Sequence, residues 1–378
     1  MGLFIFIKMK LAYLITRSDE IGGAQKHVLF LAKHFHDNGD EVIVIAGGDG
    51  LFLDEIRSNG IKYVSIRTLK KEISIINDLK SIIKIYRLLN KFKPDILSSH
   101  SVKAGCIARI LSIFINSYTL FTAHGWSHIH ASKNLKKIIY LNIERLLSIF
   151  SHKTITVCDS DLSFAIRKNL APMENIICIP NGMPDIFVKK KYTKNFLKNN
   201  ILNIVSITRL DSPKDPLTLV KSIKILEKFN VNLNIIGEGE YRKEIKKYIL
   251  ENSLNNKVNL LGRLNDVSHV LSESDLFVLS SFSEGLPRSI IEALSASLPA
   301  IASNVGGIKE LIKTNINGFI IDQQNPKLFA EAIKAYIIKP QLLYIHGKES
   351  REIYENKYTL NKMIKNYSDF YNKVTLKN

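Results

Sequence analysis

Leu276-Phe277-Val278-Leu279-Ser280-Ser281-Phe282-Ser283-Glu284-Gly285-Leu286-Pro287-Arg288-Ser289-Ile290-Ile291-Glu292-Ala293 changes character twice within a short span. Leu276–Leu279 is a continuous apolar run, the pattern of a parallel strand buried on both faces. A polar loop carrying Glu284 and Gly285 follows. Pro287 suits the first turn of a helix, where a missing N–H costs nothing, and Glu292 falls inside that helix. Strand, loop and helix in this order form part of a βαβ unit and predict a parallel sheet covered by helices.

The same alternation extends in both directions. Further strands are predicted at Asn203–Ile207, Asn232–Ile236, Val258–Leu261, Pro299–Ala302 and Phe319–Ile321. Upstream they fall at Leu11–Ile15, Glu41–Ala46, Tyr63–Ile66, Ile96–Ser99, Tyr118–Thr122, Thr154–Val157 and Ile176–Ile179. Amphipathic helices such as Gln25–His36, Asp78–Phe92, Leu217–Phe229 and Lys327–Ile338 lie between them. The pattern runs once in each half, which predicts an α/β chain of two Rossmann-like, doubly wound parallel-sheet domains. Pro180–Asn200 reads as the break, a turn signal at Pro180-Asn181-Gly182-Met183-Pro184 and then a lysine-rich linker. The expected domains are 1–186 and 187–360, with 361–378 as a terminal helix. Ligands of such folds bind at the carboxyl ends of the strands, so two such domains are expected to face a ligand cleft.

Composition agrees with this reading. A chain of 378 residues exceeds what one core usually supports. With 46% hydrophobic and 23% charged residues it is globular rather than disordered. The net charge of +18 is shared by both halves instead of being gathered on an arm. That distribution argues against nucleic-acid binding and leaves anionic lipid headgroups or phosphorylated ligands as partners. Cys106, Cys158 and Cys178 are scattered among apolar residues with no metal spacing, as in a reducing compartment. Residues 1–8 are too short for a signal peptide and read as an upstream-start extension before a strand that follows Met9. No window reaches the roughly 18 unbroken apolar residues of a spanning helix. A cytoplasmic protein, peripheral on the inner face of the membrane, is expected.

Several loops carry candidate chemistry. Gly22-Gly23 opens the first helix and reads either as an ordinary turn or as backbone approaching an anion. His124, just beyond Tyr118–Thr122, is a structural histidine, a sugar contact or a proton shuttle. Trp126 is a sugar platform or core. Asp159-Ser160-Asp161 resembles a metal-holding triplet but sits where Asp caps a helix, so no metal is expected there. Arg209 and Lys214 share the loop after Asn203–Ile207, where a guanidinium and an ammonium can both address a diphosphate. Gly237-Glu238-Gly239 and Gly262-Arg263 end the next strands, where glycines let a base or ribose approach the backbone. The 284–293 segment is the strongest element. Helical rise puts Glu284 and Glu292 at most about 12 Å apart, near the hexose-to-ribose span of a nucleotide sugar.

These residues resemble the retaining GT-B glycosyltransferases of family four, which include bacterial lipopolysaccharide and capsule enzymes. The likeness runs from Gly22-Gly23 through Ile179-Pro180-Asn181-Gly182 to Val305-Gly306-Gly307 and Asn317-Gly318, and centres on Glu284 and Glu292 with Arg209 and Lys214. It implies that Glu292 holds the ribose and that Glu284, with Gly285, Leu286 and Pro287 after it, holds the donor sugar. Arg209 and Lys214 would neutralise the diphosphate, and the backbone after Gly262-Arg263 would recognise the base. His124 would contact the donor sugar, and Gly22-Gly23 would close on phosphate and acceptor. The resemblance implies no metal and no cofactor, the nucleotide sugar being a substrate. It also implies that a final helix near Leu360–Tyr371 returns to the first domain. Gln25, Thr208 and Asp215 depart from the family's usual residues.

The expectation is transfer of a hexose or N-acetylhexosamine from a UDP-sugar to a glycan or polyprenyl-diphosphate-linked glycan in surface polysaccharide synthesis. Basic stretches suit membrane contact: Lys70–Lys93 outweighs its acids Glu72 and Asp78, and Lys133, Lys136 and Lys137 precede the amphipathic Ile138–Phe150. Solvated helix faces over a core are the other reading of both. A sugar-nucleotide epimerase of the same fold, or a non-catalytic basic protein binding membrane or nucleic acid, are the alternative functions.

Overall fold

The computed structural model describes residues 8–130, 134–186, 201–322 and 325–376. Lysines 133 and 189–191, most of the linker and the first seven residues lie outside that range. The described chain up to Ile179, together with everything from Met363 on, forms one compact unit, and Pro180–Lys362 forms a second.

The N-terminal unit holds seven strands: β1 Lys10–Ile15, β2 Glu41–Ala46, β3 Lys62–Ser65, β4 Ile96–His100, β5 Tyr118–Ala123, β6 Lys153–Thr156 and β7 Ile176–Cys178. They pair in the order β3-β2-β1-β4-β5-β6-β7, all parallel. The C-terminal unit holds β8 Leu202–Ile207, β9 Val231–Ile236, β10 Val258–Gly262, β11 Leu276–Leu279, β12 Ala300–Ser303 and β13 Gly318–Ile321. Their order is β10-β9-β8-β11-β12-β13, again all parallel. Each predicted strand corresponds to one of these. Central strands such as β4 and β11 are buried along their length, which accounts for unbroken apolar runs where a half-exposed strand would alternate. Each sheet packs its helices over its own core, Leu14, Ile45, Ile85 and Leu97 in one unit and Ile204, Leu233, Ile301 and Phe329 in the other.

Several boundaries differ from the sequence reading. The domain break falls at Ile179/Pro180 instead of 186/187, because the turn after β7 is bound into the second unit. There the Met183 N–H donates to the Tyr358 carbonyl (3.0 Å), and the Asn181 amide donates to the Leu286 carbonyl (3.2 Å). The helix expected at Leu217–Phe229 spans Pro216–Ile225, closing in a turn in which the Phe229 N–H reaches the Leu226 carbonyl. The final helix, Leu360–Thr375, buries Met363, Tyr367, Tyr371 and Val374 at helical spacing. Within the N-terminal unit Tyr371 stacks on Phe35, and the Tyr367 hydroxyl lies 3.2 Å from His27 Nε2.

Candidate active site

In the C-terminal unit the strand order reverses beside β8, which lies between β9 and β11. Open α/β sheets take their ligands outside the carboxyl ends of the strands at such a reversal. β8 and β11 run parallel, with Ile204 beside Leu276 and Val205 beside Phe277. Their following loops, 208–215 and 280–287, therefore emerge side by side. The loops are bound together: the Asp215 N–H donates to the Ser280 carbonyl (3.0 Å) and the Phe282 N–H to the Pro213 carbonyl (2.8 Å). Asp215, one of the departures from the family pattern, caps helix Pro216–Ile225 by accepting from the Thr218 N–H at 3.3 Å, with Pro216 in the first turn. The Ser280 hydroxyl donates to the same carboxylate at 3.2 Å.

This stitching brings Lys214 to Glu284. The ammonium of Lys214 pairs with Glu284 Oε1, to which the Ser281 hydroxyl also donates at 2.5 Å. Their side chains are 17% and 8% exposed, so the pair is largely shielded from water. Beyond the loop, Gly306 has φ +53°, and a Cβ there would stand 1.9 Å from the Glu284 carbonyl oxygen. The Gly307 N–H donates to the Gly285 carbonyl at 2.9 Å. The turn after β12 thus clamps the backbone of the Glu284 loop, and glycine is the residue that permits it.

Arg209 is exposed and lies 3.3 Å from Asp211 Oδ1, an intraloop pair with a carboxylate that an incoming anion would have to displace. Gly237 has φ +142° and takes up the Thr208 carbonyl, which a Cβ would approach to 1.8 Å. The close approach allowed by the glycines of 237–239 is therefore already used by the Thr208–Leu210 backbone, not left for a base. Gly262 ends β10 with φ +72°, followed by exposed Arg263.

Pro287 is the N-cap of helix Arg288–Ser295 rather than a first-turn residue, because its ψ of 118° is extended. Glu292 lies within that helix and is buried. Arg288, one turn earlier, is half-buried on the same side, and desolvation lowers its guanidinium to about 10, against the opposing pull of the Glu292 carboxylate. Its Nε donates to Met183 Sδ at 3.0 Å, and Leu286 is buried beside it in sequence.

In the N-terminal unit the reversal lies between β1 and β4. Gly22 is the N-cap of helix Gly23–Asp37 and carries no side-chain cap. Gln25 folds back to donate to the Arg17 carbonyl at 3.3 Å, a bond a glutamate in its ionised form could not donate. His124 follows β5, its Nε2 3.1 Å from His100 Nδ1 at the end of β4. The ring of His27 meets His124 edge-on at 4.9 Å between centroids. Burial, reinforced by His124, holds His100 well below the usual histidine range. Trp126 is core: it is buried, and its indole N–H donates to the Asp161 carbonyl at 3.1 Å. Asp159 and Asp161 do not cap their helix. Cys158 holds the N-cap position, and both acids lie in the first turn, where they complement the helix dipole.

Residues 21–185 match the family described as Glycosyltransferase Family 4, and residues 188–359 match Glycosyl transferases group 1. The two matches together span most of the chain, which is a glycosyltransferase built of these two domains. Among its curated relatives is the Escherichia coli UDP-Gal:alpha-D-GlcNAc-diphosphoundecaprenol alpha-1,3-galactosyltransferase, 29% identical over 84% of this chain and 86% of that one. Another is the Staphylococcus aureus capsular polysaccharide biosynthesis glycosyltransferase CapM, 26% identical over 93% of both. Anabaena HepE, solved with UDP and glucose, shares the fold with a TM-score of 0.82 over 96% of this chain and 99% of its own, at 19% identity. The glycosyltransferase therefore has the GT-B fold, two Rossmann-like parallel-sheet units.

Sequence reasoning gave no role to several residues that shape the candidate site. Ser281 and Gly306 fix Glu284, and only the neighbouring strand ends hint at them. Asp215-Pro216 carries a readable signal, an N-cap followed by proline. His27 and His100 look like unremarkable residues of a helix and a strand until strand order brings their rings to His124.

Proposed function

We propose that the enzyme transfers a sugar from UDP-sugar to a lipid-linked glycan with retention of anomeric configuration and without a metal ion or other cofactor. The observation that carries this reading is the shielded Lys214–Glu284 pair at the strand-order reversal of the C-terminal unit. It sets a cation and a carboxylate side by side, suited to a diphosphate and to the hydroxyls of the attached sugar respectively. Arg209 and Lys214 supply the positive charge that stabilises the leaving diphosphate. Glu284 orients the sugar, with the amides of Gly285 and Leu286 beside it. Glu292 is the ribose ligand, the 262–263 turn serves the base, and His124 and Gly22-Gly23 serve the reacting sugar and the acceptor. In the chemical step the bond from C1 to the diphosphate oxygen breaks, and C1 bonds to the acceptor oxygen on the same face. The acceptor proton passes to the departing phosphate oxygen. No side chain is assigned as nucleophile, and positioning with electrostatic stabilisation provides the acceleration.

Relatives named for UDP-galactose, for a diphosphoundecaprenol-linked acceptor and for capsule synthesis support the donor and acceptor classes. The place of action that follows is the cytoplasmic side of a membrane bearing such acceptors. A thermal-shift screen of UDP, GDP and their sugars tests the donor, since a ligand of the native state raises the melting point by mass action. Proton NMR of the new anomeric centre reads the stereochemistry, and transfer in excess EDTA reads the metal requirement. An inverted product, or transfer abolished by EDTA, overturns the corresponding part. Conversion of the nucleotide sugar without any acceptor would favour an epimerase.

A further inference from the structure

The helix Ile75–Phe92 has three faces. Ser81, Ile85 and Leu89 are buried against the sheet. A second stripe, Ile75, Ile76, Leu79, Ile83 and Tyr86, is apolar and exposed, Ile75 by 84%. One position further round, Lys80, Lys84, Arg87 and Lys91 form an exposed basic stripe. Its acid Asp78 is already paired to Lys103 at 2.8 Å. A helix that only covered a core would place polar residues on its second face.

The apolar surface continues onto neighbouring elements of the same unit. Tyr86 meets Phe114 edge-on at 6.5 Å, just past helix Val102–Leu111, and Phe114 is 63% exposed beside exposed Ile113. The Ser112 hydroxyl donates to the Phe150 carbonyl at 2.6 Å, joining this corner to the end of helix Asn134–Ser148. That helix exposes Leu135, Ile138, Ile139, Ile143 and Leu146, with Ile149 just beyond it. Its acid Glu144 points inward, buried against Arg109 at 2.8 Å. Lys136 and Arg145 are exposed along it. Isoleucines on three connected elements, with lysines and arginines alongside, the two helices' own acids Asp78 and Glu144 neutralised or buried, and exposed Glu72 ahead of Ile75 offset by exposed Lys70 and Lys71, form a surface larger than scattered exposed side chains would give.

We propose that this face docks the N-terminal unit onto an anionic phospholipid surface, the isoleucine stripe entering the headgroup boundary and the basic stripe meeting lipid phosphates. The charge decides the occupant. A second copy of the chain would bring the same cationic stripes together, whereas an anionic bilayer complements them and takes up the apolar stripe. No described helix is long and apolar enough to cross a membrane, so the contact is interfacial. The purpose of the docking, access to a lipid-linked acceptor, rests on the function proposed above; the surface itself does not.

Flotation with vesicles of equal phosphatidylglycerol and phosphatidylcholine, compared with phosphatidylcholine alone, tests the proposal. Wild type should float with the anionic vesicles and be released by salt. The pairs Ile76→Asp/Leu79→Asp and Ile139→Asp/Leu146→Asp should each weaken flotation by more than about tenfold, because both the apolar anchor is lost and negative charge is added. Lys80→Glu/Lys84→Glu/Arg87→Glu should abolish the preference for phosphatidylglycerol. All these positions are exposed, so melting temperatures should stay near wild type. The UDP-induced thermal shift should also persist, which separates failure of docking from failure of the nucleotide reading. Wild type that stays unbound, variants that float as well as wild type, or a dimer that the same substitutions dissociate without any lipid binding would each overturn it.

Discussion

Lys214→Met, Glu284→Leu and the double variant separate what the Lys214–Glu284 pair does for the fold from what it does for transfer. The two side chains are 17% and 8% exposed, and Glu284 keeps one other donor, the Ser281 hydroxyl at 2.5 Å. Removing one partner of a buried pair costs about 3–5 kcal/mol, because the other charge stays desolvated. Partial exposure and the remaining serine place Lys214→Met near the low end, about 3 kcal/mol. For a unit of this size that lowers its melting transition by roughly 6–12 °C. Replacing both groups by apolar residues of similar volume should recover most of the loss, since it leaves no unpaired charge. Transfer should behave differently. If Lys214 stabilises the leaving diphosphate, turnover falls by about a hundred- to a thousandfold in the single variant and stays there in the double. Calorimetry reads the first effect, and UDP release under saturating donor reads the second. Return of turnover alongside stability in the double variant would mean that the pair only holds two loops together, and the catalytic assignment would fail.

Gly306→Ala should lower turnover at least tenfold and stability by about 1–3 kcal/mol, because the new Cβ meets the Glu284 carbonyl at 1.9 Å and the loop must shift; crystallographic or kinetic equivalence to wild type would contradict the clamp. Asp215→Ala should cost about 0.5–2 kcal/mol through loss of the cap on Thr218, and should reduce transfer further by loosening the Ser280 contact, as denaturant melts and donor KM will show. The third concerns pH. His100 is buried beside His124, His27 and Ser98, and burial holds its native proton affinity below that of the unfolded chain. The unfolded state therefore takes up a proton first as pH falls below about 6.5, so stability is present above that value and lost beneath it. The slope is at most about 1.4 kcal/mol per pH unit from this residue. His34, His130, His152 and His346 are also lowered, each chiefly by burial, and act in the same direction. Urea melts between about pH 7.5 and 5.5 should show the fall, and His100→Asn should flatten it; a slope unchanged in the variant would show that His100 does not carry the dependence.

What could be read from the chain depended on how far apart in sequence the interacting groups lie. Strands announced themselves because a buried parallel strand needs only its own residues to look apolar, as Leu276–Leu279 does. Helix Arg288–Ser295 was visible from Pro287, although the step from N1 to N-cap turns on a ψ angle that composition does not encode. Pairings were another matter. Lys214 and Glu284 read as two ligands for two parts of one substrate, and nothing local says that they hold each other meanwhile.

That difference follows from strand order. Residues 214 and 284 meet because β11 inserts beside β8 and not beside β10, its predecessor in the chain. The same event in the N-terminal unit sets β4 against β1, where the Thr16 and Ser101 hydroxyls lie 2.7 Å apart. β5 then lies next to β4, so His124 reaches His100. In both units the groups to which sequence reasoning gave no role, Ser281, Gly306, His27 and His100, lie on or beside the loops that strand order brings together. A reversal of strand order leaves a crevice between diverging connections, and only side chains from elements distant in sequence can furnish it. The candidate site is thus the part of the molecule least written in local pattern, for the same reason that folds of this kind take their ligands at such a crevice.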